Sequence, residues 1–117
     1  ARGAHYIVVI NDPVLDRTPA GIAETDPVKK AAYRDEPIAF NNELLARLNN
    51  SDLNVVQIDL YSTMNYLLNH AAEFGYTNIT DGCNSTSDPN SFCRTYFFWD
   101  DVHPTDKTHR IIAQFID

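Results

Sequence analysis

Two side chains near the C-terminal end of the chain, Asp100 and His103, have the types and spacing of a general base and its orienting carboxylate. A carboxylate that accepts a hydrogen bond from one ring nitrogen fixes the tautomer of an imidazole, and the other nitrogen can then take a proton from a nucleophile. The pair would form two thirds of a hydrolytic triad. The spacing alone fits equally a loop in which Asp100 caps the turn before Pro104 and His103 is merely exposed.

The position of this pair along the chain favours a functional site. Asp100 and His103 lie between Phe98 and Thr105, directly after a predicted strand and before a predicted helix. In open α/β sheets, ligands bind outside the carboxyl ends of the strands. The loop is therefore where such a fold would hold its reactive groups.

The elements that must position the loop are predicted from hydrophobic periodicity and turn residues. Pro37 is expected in the first turn of a helix, where proline is tolerated. The predicted strands are 5–10, 54–59 and 95–99, the first of them buried on both faces of a parallel sheet. The predicted helices are 37–48, 60–74 and 105–116, and 13–35 is expected to be a surface connection. This alternation indicates an α/β fold with a mainly parallel sheet.

Length and charge narrow the class of protein. The 117 residues fit one domain, 1–117, since domains commonly run to about 100–150 residues. The net charge of −7 has the wrong sign for binding a phosphate backbone, so no nucleic-acid partner is expected. No apolar run approaches the roughly 20 residues of a membrane helix, and no targeting segment is predicted. Because the chain begins with Ala-Arg-Gly, we expect a mature or excised piece.

The two cysteines, Cys83 and Cys93, bracket a polar loop and are predicted to form a disulfide, with two free thiols as the alternative. A disulfide would imply an oxidising compartment, so the protein is expected to be secreted or periplasmic. The cysteines do not have a zinc-site spacing, and no metal site is predicted. Two triplets fit the N-glycosylation pattern, which matters only in a eukaryotic secretory pathway: 78–80 and 84–86.

The block Trp-Asp-Asp-Val-His-Pro-Thr at 99–105 resembles the last signature block of the GDSL, or SGNH, family of esterases and lipases. The resemblance implies that Asp100 and His103 complete a catalytic triad and that Asp101 occupies a variable place. Less specific matches follow the family's order along most of the chain, at 6–19, 40–44, 55–61 and 74–83.

The resemblance also carries expectations for fold and activity. The chain is expected to be the C-terminal portion of a three-layer α/β/α sandwich, flavodoxin-like with a mainly parallel sheet, of the SGNH-hydrolase type. The implied activity is hydrolysis of an ester substrate, a lipid or an acetylated small molecule or sugar, without a cofactor.

The family's nucleophile, a serine in a Gly-Asp-Ser block, is missing from this sequence. The five serines are each expected to be structural: Ser51, Ser62, Ser85, Ser87 and Ser91. The family's oxyanion hole takes a glycine and an asparagine from earlier blocks. Asn11 is one candidate donor, although Val9 stands where that block has its glycine. Without nucleophile and oxyanion donors, the chain alone is expected to be inactive.

Two explanations are open, and the first is favoured. The chain is the C-terminal part of a serine ester hydrolase, with an N-terminal part of the same protein as its partner, or it is a degenerate, inactive relative that only binds. A severed parallel sheet should leave an unpaired edge strand and an uncovered apolar face. A secreted, disulfide-bearing binding module is the alternative from another class; it explains the acidity and the cysteine loop but not the Asp-x-x-His-Pro sequence.

Overall fold

Strands and helices alternate along the computed structural model, which describes residues 3–4, 6–85 and 93–116. The start of the first predicted strand, His5, and two of the serines, Ser87 and Ser91, lie outside the described residues. The elements are β1 (Ile7–Ile10), α1 (Pro19–Ala23), α2 (Pro27–Asn49), β2 (Val55–Ile58), α3 (Leu60–Asn69), β3 (Asn78–Gly82), a short 3-10 turn (Cys83–Ser85), β4 (Tyr96–Phe98) and α4 (Asp106–Ile116).

The strands form two parallel pairs. β1 lies beside β2, with Ile7 opposite Val55, and β3 lies beside β4, with Asn78 opposite Tyr96. Parallel neighbours need a crossover connection, which α1 and α2 supply between β1 and β2. The predicted α/β class and the parallel pairing are confirmed. Within the described residues, however, the two pairs do not join into one continuous sheet, and β3 was not predicted.

The largest correction concerns α2, which begins at Pro27 and not at Pro37. The Asp26 carboxylate accepts hydrogen bonds from two backbone N–H groups of the first turn, at 2.8 and 3.2 Å. Pro27 then occupies the first helical position, where its missing N–H has no partner to lose. Pro37 lies buried inside the helix. The segment 13–35, predicted to be a surface connection, therefore contains α1 and the first turns of α2.

The prediction that β1 is buried on both faces is wrong. Val8 is 59% exposed and Ile10 is 51% exposed, and Val56 of β2, which lies opposite Val8, is 53% exposed. Among the described residues, β1 and β2 pair only with each other, so each has one edge without a neighbouring strand. In the described part of the chain, the β1–β2 pair therefore has an unpaired edge and exposed apolar side chains.

The hydrophobic core lies where α3 and α4 meet the β3–β4 pair. A buried polar network links α4 to β4 within it: the Thr108 hydroxyl donates to the Phe97 carbonyl at 2.8 Å. That hydroxyl also lies 2.9 Å from the Tyr76 hydroxyl and 3.0 Å from the Thr105 hydroxyl. The buried apolar residues are Val14, Met64, Leu67, Leu68, Tyr76, Phe97, Phe98 and Ile112.

None of the helices in the described part of the chain combines the length and the apolar character that a membrane crossing requires.

Candidate active site

β4 delivers the loop that carries Asp100 and His103. The strand ends at Phe98, the chain reverses through residues 99–103, and Pro104 returns to form an antiparallel bridge with Phe98. The backbone N–H of Trp99 donates to the carbonyl of His103 at 2.7 Å and closes the loop. Because the loop is so short, residues three apart are brought face to face.

The predicted pairing of Asp100 and His103 is present. Oδ2 of Asp100 lies 2.8 Å from Nδ1 of His103. Oδ1 of Asp100 accepts the backbone N–H groups of Val102 at 2.9 Å and His103 at 2.6 Å. Since an ionised carboxylate can only accept hydrogen bonds, the neutral form of the His103 ring places its proton on Nδ1 and leaves the lone pair on Nε2, across the ring. This is the arrangement that a general base requires.

The electrostatics of the loop keep the Asp100 carboxylate ionised. The backbone N–H of His103, then that of Val102, then the His103 ring lower the pKa of Asp100 from 3.8 to about 2, because each of them donates to the charged form. The Asp100 side chain is 31% exposed and the His103 side chain is 70% exposed. The carboxylate is therefore partly sheltered, whereas the ring is open to a reaction partner.

A cavity of about 360 Å³, here called the loop-side cavity, begins beside the pair. Val102 and Pro104, on either side of His103 in the sequence, both line it, and its walls are mostly apolar. A second cavity of about 300 Å³, here called the α2 cavity, lies under the predicted apolar face of α2. Leu44 and Leu48 of that face line it. The two cavities share no lining residue.

Asn11 lines the α2 cavity and not the loop-side cavity. Its amide nitrogen donates to Asp59 at 2.9 Å, and its amide oxygen accepts the backbone N–H of Tyr61 at 3.1 Å. These bonds join the end of β1 to the start of α3. Asn11 thus has structural partners at the start of α3, and the structure does not bring it into hydrogen-bond contact with His103.

The described serine hydroxyls do not contact the pair either. Ser51 donates its hydroxyl to the Leu48 carbonyl at 2.7 Å, and Ser62 lies in the α2 cavity. Neither hydrogen-bonds His103. In residues 3–4, 6–85 and 93–116, therefore, no serine whose side chain is described lies next to the Asp100–His103 pair.

Cys83 and Cys93 are joined in a disulfide with their Cα atoms 5.6 Å apart, as predicted. The bond links the turn after β3 to the segment that leads into β4. Its sulfurs are not free thiolates, the form in which cysteine binds zinc. No group of three or more His, Cys, Asp or Glu side chains in the described part of the chain is placed to hold a metal ion.

Sequence reasoning missed two backbone supports of the loop. The N–H of Ala20, in the first turn of α1, donates to the carbonyl of Asp101, and the N–H of Asn84 donates to the carbonyl of Trp99, both at 2.9 Å. The N–H groups of a first helical turn have no partner within the helix, so they are available for such bonds. Thr18, whose side chain caps α1 ahead of a proline, was the signal that could have revealed this helix.

Comparison with known proteins identifies relatives along nearly the whole chain. The family model described as GDSL-like lipase/acylhydrolase matches residues 2–116. The GDSL esterase/lipase EXL2 of Arabidopsis thaliana is 26% identical over 95% of this chain and 35% of its own length. The GDSL esterase/lipase APG of the same plant is 34% identical over 54% of this chain and 22% of its own length. Acetylajmalan esterase 2 of Rauvolfia serpentina is 27% identical over 70% of this chain and 28% of its own length. The chain thus spans about a third or less of each of these relatives.

Proposed function

Because this chain belongs to the GDSL-like lipase/acylhydrolase family, we propose that it supplies the Asp–His pair of a serine ester hydrolase. Asp100 is the orienting carboxylate and His103 the general base and acid. The observation that carries the proposal is the 2.8 Å contact between Oδ2 of Asp100 and Nδ1 of His103, on a loop whose geometry two backbone N–H groups fix.

The chemistry follows from the free nitrogen of the ring. Nε2 of His103 takes the proton of a serine hydroxyl as that oxygen attacks the ester carbonyl, and a tetrahedral intermediate forms. The imidazolium then gives its proton to the departing alcohol, which leaves an acyl-serine. Water repeats the two steps and releases the acid. Asp100, whose pKa is held at about 2, stays ionised throughout and stabilises the imidazolium.

The nucleophile and the oxyanion donors come, in this proposal, from the remainder of the same protein. The sequence has no Gly-Asp-Ser block, and the relatives are about three or more times longer than the part that this chain spans. We use the term full-length protein for this chain joined to, or associated with, that remainder.

Exposed apolar surface supports such an association. Val8 and Ile10 of β1 and Val56 of β2 are each more than half exposed, beside a strand edge that has no neighbour among the described residues. The radius of gyration, 16.2 Å, exceeds the roughly 13 Å of a compact chain of this length. A further parallel strand from the remainder would pair with the edge and cover these side chains.

The substrate class proposed is an ester of an acyl or acetyl group, from a lipid, a sugar or a small alcohol. The names of the relatives, lipases and an acetylajmalan esterase, support ester hydrolysis. We further propose that the protein is secreted, because the Cys83–Cys93 disulfide persists in oxidising compartments.

The test is mutation of the loop in the full-length protein with p-nitrophenyl acetate as substrate. His103→Ala should abolish turnover, and Asp100→Asn should lower kcat by about 10³–10⁴-fold, because the imidazole is then held in the wrong tautomer. Asp101→Asn is the matched control and should change little, since the exposed Asp101 side chain lies outside the pair.

Two results would contradict the proposal. If Asp101, not Asp100, proves to be the essential carboxylate, the assignment of the pair is wrong. If this chain by itself turns over the substrate, and replacing one of its own serines stops it, the nucleophile does not come from the remainder.

A further inference from the structure

Gly82, the last residue of β3, lies against the backbone of Asp100. A Cβ atom placed on Gly82 would stand 2.8 Å from the carbonyl carbon of Asp100 and 2.9 Å from its Cα and carbonyl oxygen. Carbon atoms in ordinary contact are about 3.5–4.0 Å apart. A methyl group at this position therefore has no room unless one of the two backbones moves.

Space, and not backbone conformation, is what requires glycine here. The described glycines with positive φ are Gly3 and Gly75, and Gly82 is not among them. An L-residue could adopt the backbone conformation of Gly82, but its side chain would meet backbone atoms, which cannot rotate away as the end of a flexible side chain can.

The backbone around Asp100 is held from both sides. On one side the Asn84 N–H bonds the Trp99 carbonyl, and on the other the Ala20 N–H bonds the Asp101 carbonyl, each at 2.9 Å. The first bond holds the peptide group between Trp99 and Asp100, and the second holds the peptide group between Asp101 and Val102. A push from position 82 would consequently displace Asp100 relative to its neighbours instead of swinging the whole loop outward.

The carboxylate of Asp100 depends on that placement. It accepts three hydrogen bonds of 2.6 to 2.9 Å, two from backbone N–H groups and one from His103. Moving the Cβ at position 82 from 2.8 Å to an ordinary contact of about 3.5 Å needs a displacement of roughly 0.7 Å. That displacement exceeds the tolerance of about 0.5 Å for a preorganised catalytic group.

We propose that Gly82 is a positioning residue for the Asp100–His103 pair: its lack of a side chain lets the end of β3 support the Asp100 backbone at the place where the carboxylate meets His103. Its importance for turnover rests on the function proposed above, whereas its effect on the pair does not. In this proposal Gly82 is not a catalytic residue, because it acts on the pair through the Asp100 backbone.

The test compares Gly82→Ala with Gly75→Ala in the full-length protein labelled with ¹⁵N-histidine and ¹³C-aspartate. Gly75 is a matched control because alanine is strained there by the φ of +74°, while the nearest atom to its Cβ is the mobile end of Lys107. Both variants lose stability, but only one presses on Asp100. If Gly82→Ala folds poorly, trimethylamine N-oxide favours the compact state and the same spectra are recorded in it.

In Gly82→Ala the ¹⁵N spectrum of His103 should shift from the Nδ1–H tautomer towards Nε2–H, and the pKa of Asp100 should rise from about 2 towards 3.8. Turnover should fall by about 10–10²-fold in kcat with KM unchanged, since misplacement by about 1 Å can cost about 10²-fold. Gly75→Ala should leave all of these unchanged.

The outcomes separate the two proposals. An unchanged His103 tautomer and Asp100 titration in Gly82→Ala would overturn the role of Gly82, even if His103→Ala abolishes turnover. A changed tautomer with unchanged turnover would support the role of Gly82 in holding the pair and count against the proposed function. Equal effects of Gly82→Ala and Gly75→Ala on the tautomer would also overturn the inference, because general destabilisation would then explain both.

Discussion

The buried hydroxyl of Thr108 offers the most direct test of what holds the loop-bearing strand in place. Thr108 is fully buried, and its hydroxyl donates to the carbonyl of Phe97 in β4 and bonds the hydroxyl of Tyr76. Thr108→Val keeps the shape of the side chain and removes these bonds together with the one to the Thr105 hydroxyl, which keeps its bond to the Tyr96 carbonyl at 3.0 Å. We expect the substitution to loosen α4 from β4 without leaving a cavity.

The magnitude follows from which groups lose their partners. The Phe97 carbonyl keeps the N–H of Thr105 at 2.9 Å, so it is not left unpaired. The hydroxyl of Tyr76, a residue that is 5% exposed, loses the bond to Thr108. A lost hydrogen bond costs about 1 kcal/mol, and an unpaired buried hydroxyl about 1–3 kcal/mol. We expect Thr108→Val to lower the free energy of unfolding by about 2–3 kcal/mol.

Urea denaturation of the full-length protein, followed by circular dichroism, measures this change. Thr108→Ser, which retains the hydroxyl and loses one methyl group, should cost only about 1 kcal/mol. The double variant Thr108→Val with Tyr76→Phe removes both partners and should be less destabilised than the sum of the single variants. If Thr108→Val is no worse than Thr108→Ser and the double variant is additive, the hydroxyl network does not stabilise the fold as argued.

Two further predictions concern the disulfide and the carboxylate. Reducing the Cys83–Cys93 bond, whose residues are 10 apart in sequence, should destabilise the protein by about 2–3 kcal/mol because the unfolded chain is no longer constrained. Calorimetry measures the resulting fall in Tm. Two alkylatable thiols on freshly purified, unreduced protein would show that the bond is absent. The pKa of Asp100 is lowered to about 2, so the stabilisation from its ionised carboxylate should be fully present above pH 3.8 and lost as the pH falls through 2. A ¹³C NMR titration of the Asp100 carboxyl group measures this pKa. A pKa near 3.8 in the folded protein would contradict the prediction.

The sequence by itself determined those features that depend on neighbouring residues. Asp100 and His103 are three residues apart on one tight loop, so their contact needs only a local turn. The same is true of the strand and the helix that flank the loop. Spacing and turn chemistry were sufficient for these because few conformations can connect residues so close in sequence.

The start of α2 was also encoded locally but was misassigned. Asp26 and Pro27 carry the N-cap and first-turn signature, and Pro37 carries only the second half of it. The helix was predicted to begin at Pro37 because the helical spacing of apolar residues is clearer after that residue. A proline inside a helix loses one hydrogen bond, and that loss is outweighed here by the turns that form on both sides.

Only the tertiary structure decided which faces are covered and which distant backbones touch. The apolar run of β1 predicts burial, yet Val8 and Ile10 are exposed because burial depends on what packs against a strand, not on the strand itself. The contact between Gly82, at the end of β3, and Asp100, in the loop after β4, has no signature in the sequence beyond a single glycine. The hydrogen bonds of the Thr108 hydroxyl likewise depend on Phe97 and on the distant Tyr76. Sequence patterns report local conformational preference, whereas these contacts form only when elements that are distant in sequence pack against each other.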